Sequence, residues 1–340
     1  DYEEIAGKGI KATIFMTPAL VGNARLLKEN DISFVEVNKA GTVLYVASGG
    51  EFIGYVVIED TLKPDAKYGV KELKNIANDV RIGIVDATHA AKCGHPGGSL
   101  SIADILTYLY FEKMNIDPKN PKMENRDRFV LSKGHTAPGL YSTLAQRGFF
   151  PVEDLLTLRK IDSYLQGHPD MNKVPGVDMS TGSLGLGIST ACGMALAGKI
   201  DGKDYRVYTI IGDGESEEGQ VWEAAMFASH YKLDNLCVIL DLNGLQIDGP
   251  ITEVMNPTPH DKKFEAFGFH VITINGHDFN EIEAAFAEAE ATKGQPTVII
   301  AKTTKGKDVS FMENSVNWHG AAPNDEQHAL AIAELKTRYI

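Results

Sequence analysis

The chain has 340 residues, 33 of them basic and 46 acidic, for a formal net charge of -13. An apolar share of 43% with a charged share of 23% argues against a largely disordered chain, and the acidic balance argues against nucleic acid as the main partner, which needs a basic face. No apolar run reaches the roughly 18 residues of a membrane span, no signal peptide opens the chain, and Cys93, Cys192 and Cys237 lack the spacing of a disulfide framework or zinc site, so the expected setting is a reducing cytoplasm.

At roughly 150 residues per domain the length predicts two domains, and the texture of the sequence changes near Tyr68. The chain opens on Asp1 rather than Met, which leaves room for a native N-terminus upstream. Residues 1–67 form a small strand-rich α+β segment. Strands are predicted at Lys11–Phe15, Phe34–Val37, Thr42–Ala47 and Phe52–Ile58, separated by turns such as Ser48-Gly49-Gly50, with a helix at Asn23–Lys28. Residues 68–340 read differently. Leu73, Ile76, Ala77, Val80 and Ile84 recur at helical spacing and predict a helix over Lys71–Ala91; a second runs through Ile102, Ile105, Leu106 and Leu109. Buried strands are then predicted at Arg128–Leu131, Arg206–Ile211, Leu236–Asp241, His270–Ile274 and Thr297–Lys302. Helices are predicted at Thr136–Arg147, Leu186–Ala197, Gly219–Tyr231, Phe279–Ala291 and Asp325–Arg338. Apolar strands separated by helices predict an α/β fold, a parallel sheet with helices on both faces.

Gly212-Asp213-Gly214 closes one of these strands, and Asp241-Leu242-Asn243-Gly244 closes the next. Ligands bind at the carboxyl ends of parallel strands. A Gly-Asp-Gly there brings backbone N–H groups and one carboxylate toward a phosphate, and Asp213 with Asn243 supplies the oxygen ligands that Mg²⁺ or Ca²⁺ favours. Alone, Gly-Asp-Gly is a common turn; the Asn one helix and one strand further on is what argues against that reading. His95, His135 and His168 lie in Gly- or Pro-marked loops of the kind that carry function. His230, His260, His270, His277 and His328 read as structural or surface residues.

Six stretches occur together and in order: Lys92-Cys93-Gly94-His95-Pro96-Gly97-Gly98, Leu131-Ser132-Lys133-Gly134-His135, Gln166-Gly167-His168-Pro169, Ser180-Thr181-Gly182-Ser183-Leu184-Gly185, Gly212-Asp213-Gly214 with Asn243, and Asn317-Trp318-His319-Gly320. With them the region from about Val70 to Ile340 resembles the N-terminal half of transketolase, a thiamine-diphosphate enzyme. The resemblance implies the pyrophosphate-domain fold of that class. It implies thiamine diphosphate and Mg²⁺ (or Ca²⁺) as cofactors, with the metal on Asp213, Asn243 and the backbone carbonyl of Leu245. His135, Gly182, Leu184, Gly212, Gly214 and His319 would bind or line the cofactor. His95 and His168 would face the sugar and assist proton transfer, and Glu218 would meet its counterpart near a subunit interface. The implied reaction is two-carbon ketol transfer between sugar phosphates. Nothing in the chain matches the pyrimidine-binding and C-terminal domains of a complete transketolase. The expected protein is therefore the N-terminal subunit of a split enzyme, self-associated into a dimeric core and inactive without its partner, the transketolase C-terminal subunit. Two departures stand out. Val316 occupies the place of an earlier histidine that many members carry. In Lys305-Gly306-Lys307-Asp308, an Asp replaces a more usual Gly, the residue suited to an unusual backbone angle.

Residues 1–67 resemble part of the nucleotide-binding domain of a heavy-metal P-type ATPase. The matching stretches are Gly7-Lys8-Gly9-Ile10-Lys11-Ala12, Leu20-Val21-Gly22-Asn23-Ala24-Arg25-Leu26-Leu27 and Asp60-Thr61-Leu62-Lys63-Pro64-Asp65-Ala66. The Asp-Lys-Thr-Gly-Thr phosphorylation motif is absent, so the segment reads as a fused fragment joined near Lys63-Pro64-Asp65-Ala66-Lys67. The alternatives to a split transketolase are another thiamine-diphosphate enzyme, such as a deoxyxylulose-phosphate synthase, and a non-catalytic nucleotide-binding module.

Overall fold

The computed structural model describes residues 2–5, 7–14, 17–37, 42–58 and 64–338. Phe15, residues 60–63 of the ATPase-like stretch and Lys63 of the join lie outside the described residues. Contacts divide the chain into two units, 1–68 and 69–340.

The first unit is an antiparallel sheet of β1 (Tyr2–Ile5), β2 (Gly9–Ile14), β3 (Thr17–Gly22), β4 (Thr42–Ser48) and β5 (Glu51–Ile58), paired in that order. Helix α1 (Ala24–Lys28) starts on the side-chain oxygen of Asn23, which accepts from the backbone N–H of Arg25 and Leu26. Leu26, Leu27, Ile32, Tyr45 and Ala47 form its core. The expected strand at Phe34–Val37 is not formed. Residues 32–37 run as irregular chain, with the Phe34 ring 4.7 Å from that of Tyr45 and the Val37 N–H donating to the Tyr45 hydroxyl. Aromatic packing, rather than a ladder partner, holds that segment. β1 and β3 were not expected from the sequence.

The second unit contains the helix α2 (Pro64–Ala91) from Gly69 onward, then α3 (Pro96–Ser101), α4 (Ala103–Tyr108) and α5 (Ala137–Arg147). These are followed by α6 (Leu186–Ile200), α7 (Gly219–His230), α8 (Ile251–Val254), α9 (His260–Ala266), α10 (Phe279–Ala291) and α11 (Asp325–Arg338). Its strands are β6 (Arg128–Leu131), β7 (Val207–Gly212), β8 (Leu236–Leu242), β9 (His270–Asn275) and β10 (Thr297–Lys302). They pair in the order β6-β7-β8-β10-β9, and every pairing is parallel. The sheet explains the apolar runs. Tyr208, Ile210, Cys237, Ile239, Ile299 and Ala301 pack on one face with Leu106, Leu140 and Phe286. The alternate residues Val207, Ile211, Val238, Leu240, Val298 and Ile300 pack on the other with Ile188, Val221 and Phe264. A strand buried on both faces has no polar alternation to show. The helix expected through Ile102 is two, α3 and α4. Ile102 leaves helical geometry (φ -101°, ψ 4°) where the Ser101 hydroxyl donates to the buried carboxylate of Asp241. No helix among the described residues is long and apolar enough to cross a membrane.

Candidate active site

Parallel pairing brings the ends of β6, β7, β8 and β10 side by side, with Leu131 level with Ile210, Gly212 with Asp241, and Lys302 with Leu242. A cavity of 470 Å³ opens over these ends. A larger one, 720 Å³, lies in the first unit along β2 and β3. The smaller one gathers the titratable groups, three histidines, two lysines and four carboxylates, whereas the larger holds only Glu3, Lys11 and Tyr2 among Ala, Gly, Pro, Leu, Ile, Thr and Asn.

His95, His135, Gly182, Leu184, Gly212, Asp213, Gly214, Glu218, Asn243, Leu245 and His319 all line the smaller cavity. The sequence motifs, spread over more than half the chain, are thus brought to one place. His168 is exposed and does not line it. Its ring lies behind Gly182, where an added Cβ would meet imidazole carbons at 3.3 Å. Glu218 is exposed at the start of α7. Gly134 lets the β6 loop press against its neighbour: a Cβ there would lie 2.7 Å from the Thr181 hydroxyl and 2.8 Å from the Gly182 nitrogen.

The centre is ionic. Asp241, fully buried, is 2.5 Å from the Lys133 ammonium and accepts from the Ser101 hydroxyl at 2.7 Å, the Asn243 amide at 2.9 Å and the Thr303 hydroxyl. Burial alone would raise its pKa. Lys133 and these donors more than reverse that and hold it below the usual carboxylate range. Asp213 goes the other way. Burial, then the negative charge of Asp241, push it up to about 6, although the backbone N–H groups of Gly244 and Gly214 donate to it.

Three imidazoles of the cavity wall crowd together. The His95 ring centroid is 5.1 Å from that of His135 and 5.6 Å from that of His319, and His135 and His319 stack at 5.3 Å. Burial first, then nearby cations, lower His95 to about 4 and His319 to about 3, and carry His135 well below its ordinary value. The shifts favour the neutral form of all three. His95 Nδ1 is buried with no hydrogen-bond partner among the described residues. Lys305 approaches from the β10 loop. Its ammonium donates to the Leu245 carbonyl at 2.9 Å, lies 2.9 Å from His319 Nδ1, and is lowered to about 8 by burial and by Lys133.

These residues fit a hard cation and a polyanion. A carboxylate, an amide oxygen and a carbonyl converge, and the Lys305 ammonium already sits on that carbonyl, so a cation is at home there. Asp213, uneasy in its ionised form, lacks the counter-charge a divalent ion would bring. No group of three or more His, Cys, Asp or Glu among the described residues is arranged to hold a metal, which leaves a mixed oxygen set as the candidate.

Sequence reasoning assigned no role to Lys133, Asp241, Glu215 or Lys305. Glu215 is buried; it accepts from Ser132 Oγ and from the backbone N–H of Gly185 and Gly212, tying three loops together. Its acidic run, Gly214-Glu215-Ser216-Glu217-Glu218, reads as a solvated surface. Asp241 was legible in principle as one charge ending an otherwise apolar strand.

Residues 72–339 match the family described as "Transketolase, thiamine diphosphate binding domain". The 6-deoxy-6-sulfo-D-fructose transketolase subunit of Clostridium sp. (strain MSTE9) is 46% identical over 265 residues, covering 78% of this chain and 96% of that protein. A subunit of the apulose-4-phosphate transketolase of Phocaeicola vulgatus is 44% identical over 267 residues, 78% of this chain and 94% of that protein. Human transketolase is 47% identical over 264 residues, but the chain spans only 42% of its length. Among solved structures, the transketolase of Campylobacter jejuni superposes with a TM-score of 0.74 at 37% identity, over 78% of this chain and 42% of that one. That of Leishmania mexicana gives 0.73 at 35% identity, over 78% of this chain and 41% of that one.

Proposed function

The chain belongs to the transketolase thiamine-diphosphate-binding family, and from that premise we propose that it is the cofactor-binding half of a split transketolase, moving two-carbon ketol units between sugar phosphates or similarly anionic sugars. The observation that carries this reading is the convergence of Asp213, Asn243 and the Leu245 carbonyl with three neutral imidazoles over one cavity at the strand ends. Coverage of 96% and 94% of two relatives named as subunits supports the split form.

Asp213, Asn243 and the Leu245 carbonyl would hold Mg²⁺ or Ca²⁺. Gly212, Gly214, Gly182, Leu184, His135 and His319 would receive thiamine diphosphate. When bound, the cofactor supplies the nucleophilic carbon and the electron sink for breaking a carbon–carbon bond beside a ketose carbonyl. The chain supplies the rest. His95, in the cavity wall, would meet the sugar hydroxyls and assist proton transfer, and His168, exposed and packed against Gly182, would contribute to the sugar site from outside that wall. Lys133 keeps Asp241 ionised, and Asp241 accepts from the Asn243 amide nitrogen, leaving the amide oxygen, which takes the Leu245 N–H at 3.1 Å, as the atom Asn243 would offer a cation. Glu218, exposed, is the contact toward a second copy of the chain. A C-terminal transketolase subunit would complete the site.

The test is a ketol-transfer assay with xylulose 5-phosphate, ribose 5-phosphate, thiamine diphosphate and Mg²⁺, run with and without a C-terminal transketolase subunit. Activity only with the partner supports the reading. Full activity without one refutes the split form, and no thiamine diphosphate binding in either case refutes the cofactor assignment.

A further inference from the structure

We infer that His277 and Asp104 are positioning residues for Lys305, and that through it they set how tightly the cavity holds a diphosphate–metal pair; the inference rests on the cofactor reading above. Lys305 reaches the cavity from the segment after β10. Backbone bonds hold that segment, the Gly306 N–H donating to the Gly97 carbonyl and the Asn314 N–H to the Lys305 carbonyl, both at 2.9 Å, and two side-chain connections tie its flanks to the core. On its near side the backbone N–H of Thr304 donates to His277 Nε2 at 2.9 Å. On its far side Asp308 carries the Arg81 guanidinium at 3.4 Å and that of Arg338 at 2.7 Å.

Both connections lead to one buried ion pair. His277 Nδ1 lies 2.7 Å from Asp104 Oδ2, and the same oxygen is 2.5 Å from Arg81. The side chains of Arg81, Asp104 and Asp308 are 1%, 7% and 3% exposed. Both side-chain connections of the Lys305 loop thus run to Arg81–Asp104, one through an imidazole and the other through a carboxylate.

The chemistry of the imidazole is set by its neighbours. A backbone N–H can only donate, so His277 Nε2 must be the acceptor and the proton must sit on Nδ1, donated to Asp104. The carboxylate fixes the tautomer, the tautomer accepts Thr304, and Thr304 precedes Lys305. Such outer partners commonly change ligand affinity by about 10–100-fold when removed. His277 has no place in the cavity wall, so its effect must pass through the loop.

The experiment is a double-mutant cycle on the full chain, titrated with thiamine diphosphate in saturating Mg²⁺ and read as Kd by isothermal calorimetry, with the cofactor-free Tm as a control. His277→Ala is expected to weaken Kd about 10-fold or more. His277→Gln, whose amide offers an oxygen to Thr304 and an N–H to Asp104, is expected to restore most of it. In a Lys305→Met background His277→Ala is expected to add less than twofold. An unchanged Kd in His277→Ala, equal losses in His277→Ala and His277→Gln, or full additivity with Lys305→Met would each overturn the inference. If the wild-type chain binds no thiamine diphosphate, alone or with a C-terminal transketolase subunit, the cofactor reading fails and the inference with it. Binding by the wild type with no effect of His277 removes the inference alone.

Discussion

The Lys305 ammonium lies 2.9 Å from the carbonyl oxygen of Leu245, and that carbonyl is one of three oxygens proposed to bind a divalent cation. An ammonium thus already sits on one of the proposed ligand oxygens, and a metal ion there would compete with it. Lys305 can yield because burial has lowered it to about 8 and His319 Nδ1 stands 2.9 Å away as an alternative partner.

The first prediction concerns that exchange. Mg²⁺ alone should raise the Tm of the chain only slightly, since it competes with an ammonium. Mg²⁺ with thiamine diphosphate at about 100 times Kd should add about 2.7 kcal/mol, or roughly 5 °C. EDTA should remove the effect, and Asp213→Ala should abolish it. Differential scanning fluorimetry reads all four conditions. An equal rise in Asp213→Ala would place the cation elsewhere.

A second prediction follows from Lys133 and Asp241, 2.5 Å apart and almost wholly buried. Replacing Lys133 by Met leaves an uncompensated carboxylate inside the fold, which should cost about 3–5 kcal/mol. The double variant Lys133→Met/Asp241→Asn should recover much of that loss, because a neutral amide is far cheaper to bury. Urea unfolding of the three variants decides the point: equal losses in single and double variants would show that packing, not charge, dominates there.

Acid should destabilise the cofactor-free protein in a defined window. His95 and His260 are lowered to about 4 and His319 to about 3, in each case mainly by burial. An unfolded chain takes up these protons near pH 6.5, whereas the folded one does not until far lower pH. Between pH 6.5 and about 4 the unfolded state binds more protons, so stability rises with pH there and is fully present above 6.5. Asp213, raised to about 6, titrates the other way and offsets part of this, but one carboxyl against three imidazoles leaves the slope positive, and the clearest range is about pH 7 to 5. Urea midpoints across that range should fall as the pH is lowered. His260→Gln, which removes a buried imidazole 3.0 Å from the Ser216 hydroxyl, should flatten the slope. A pH-independent midpoint would contradict the neutral-imidazole assignment.

Much of the second unit was legible because local signals and tertiary demands agree. Val207–Gly212 and Leu236–Leu242 are apolar runs ended by Gly, Asp or Asn, and in a parallel sheet such ends converge whatever the strand order. Lys305 was not legible as a cavity residue because its place depends on β10 inserting between β8 and β9, a pairing no local pattern encodes. Glu215 hid in an acidic run, since burial of one glutamate among several depends on the three donors that the fold brings to it. Phe34–Val37 misled for the opposite reason: its strand-like composition serves packing on Tyr45.

Asp308 tests how a departure from the family pattern is accommodated. Its φ is +70°, the left-handed region that a glycine would enter freely and other residues enter at a cost of about 1–2 kcal/mol. Asp308→Gly should relieve that strain. It should also remove the buried carboxylate that meets Arg81 and Arg338, and losing one partner of a buried pair costs about 3–5 kcal/mol. The second effect is larger, so Asp308→Gly should be destabilising by about 2 kcal/mol or more despite its easier backbone. Asp308→Asn keeps a side chain that tolerates the left-handed region and loses the charge, so it should show nearly the whole electrostatic loss. If chemical denaturation finds Asp308→Gly more stable than wild type, backbone strain outweighs the ion pairs at this position, and the Asp is a cost the loop merely tolerates.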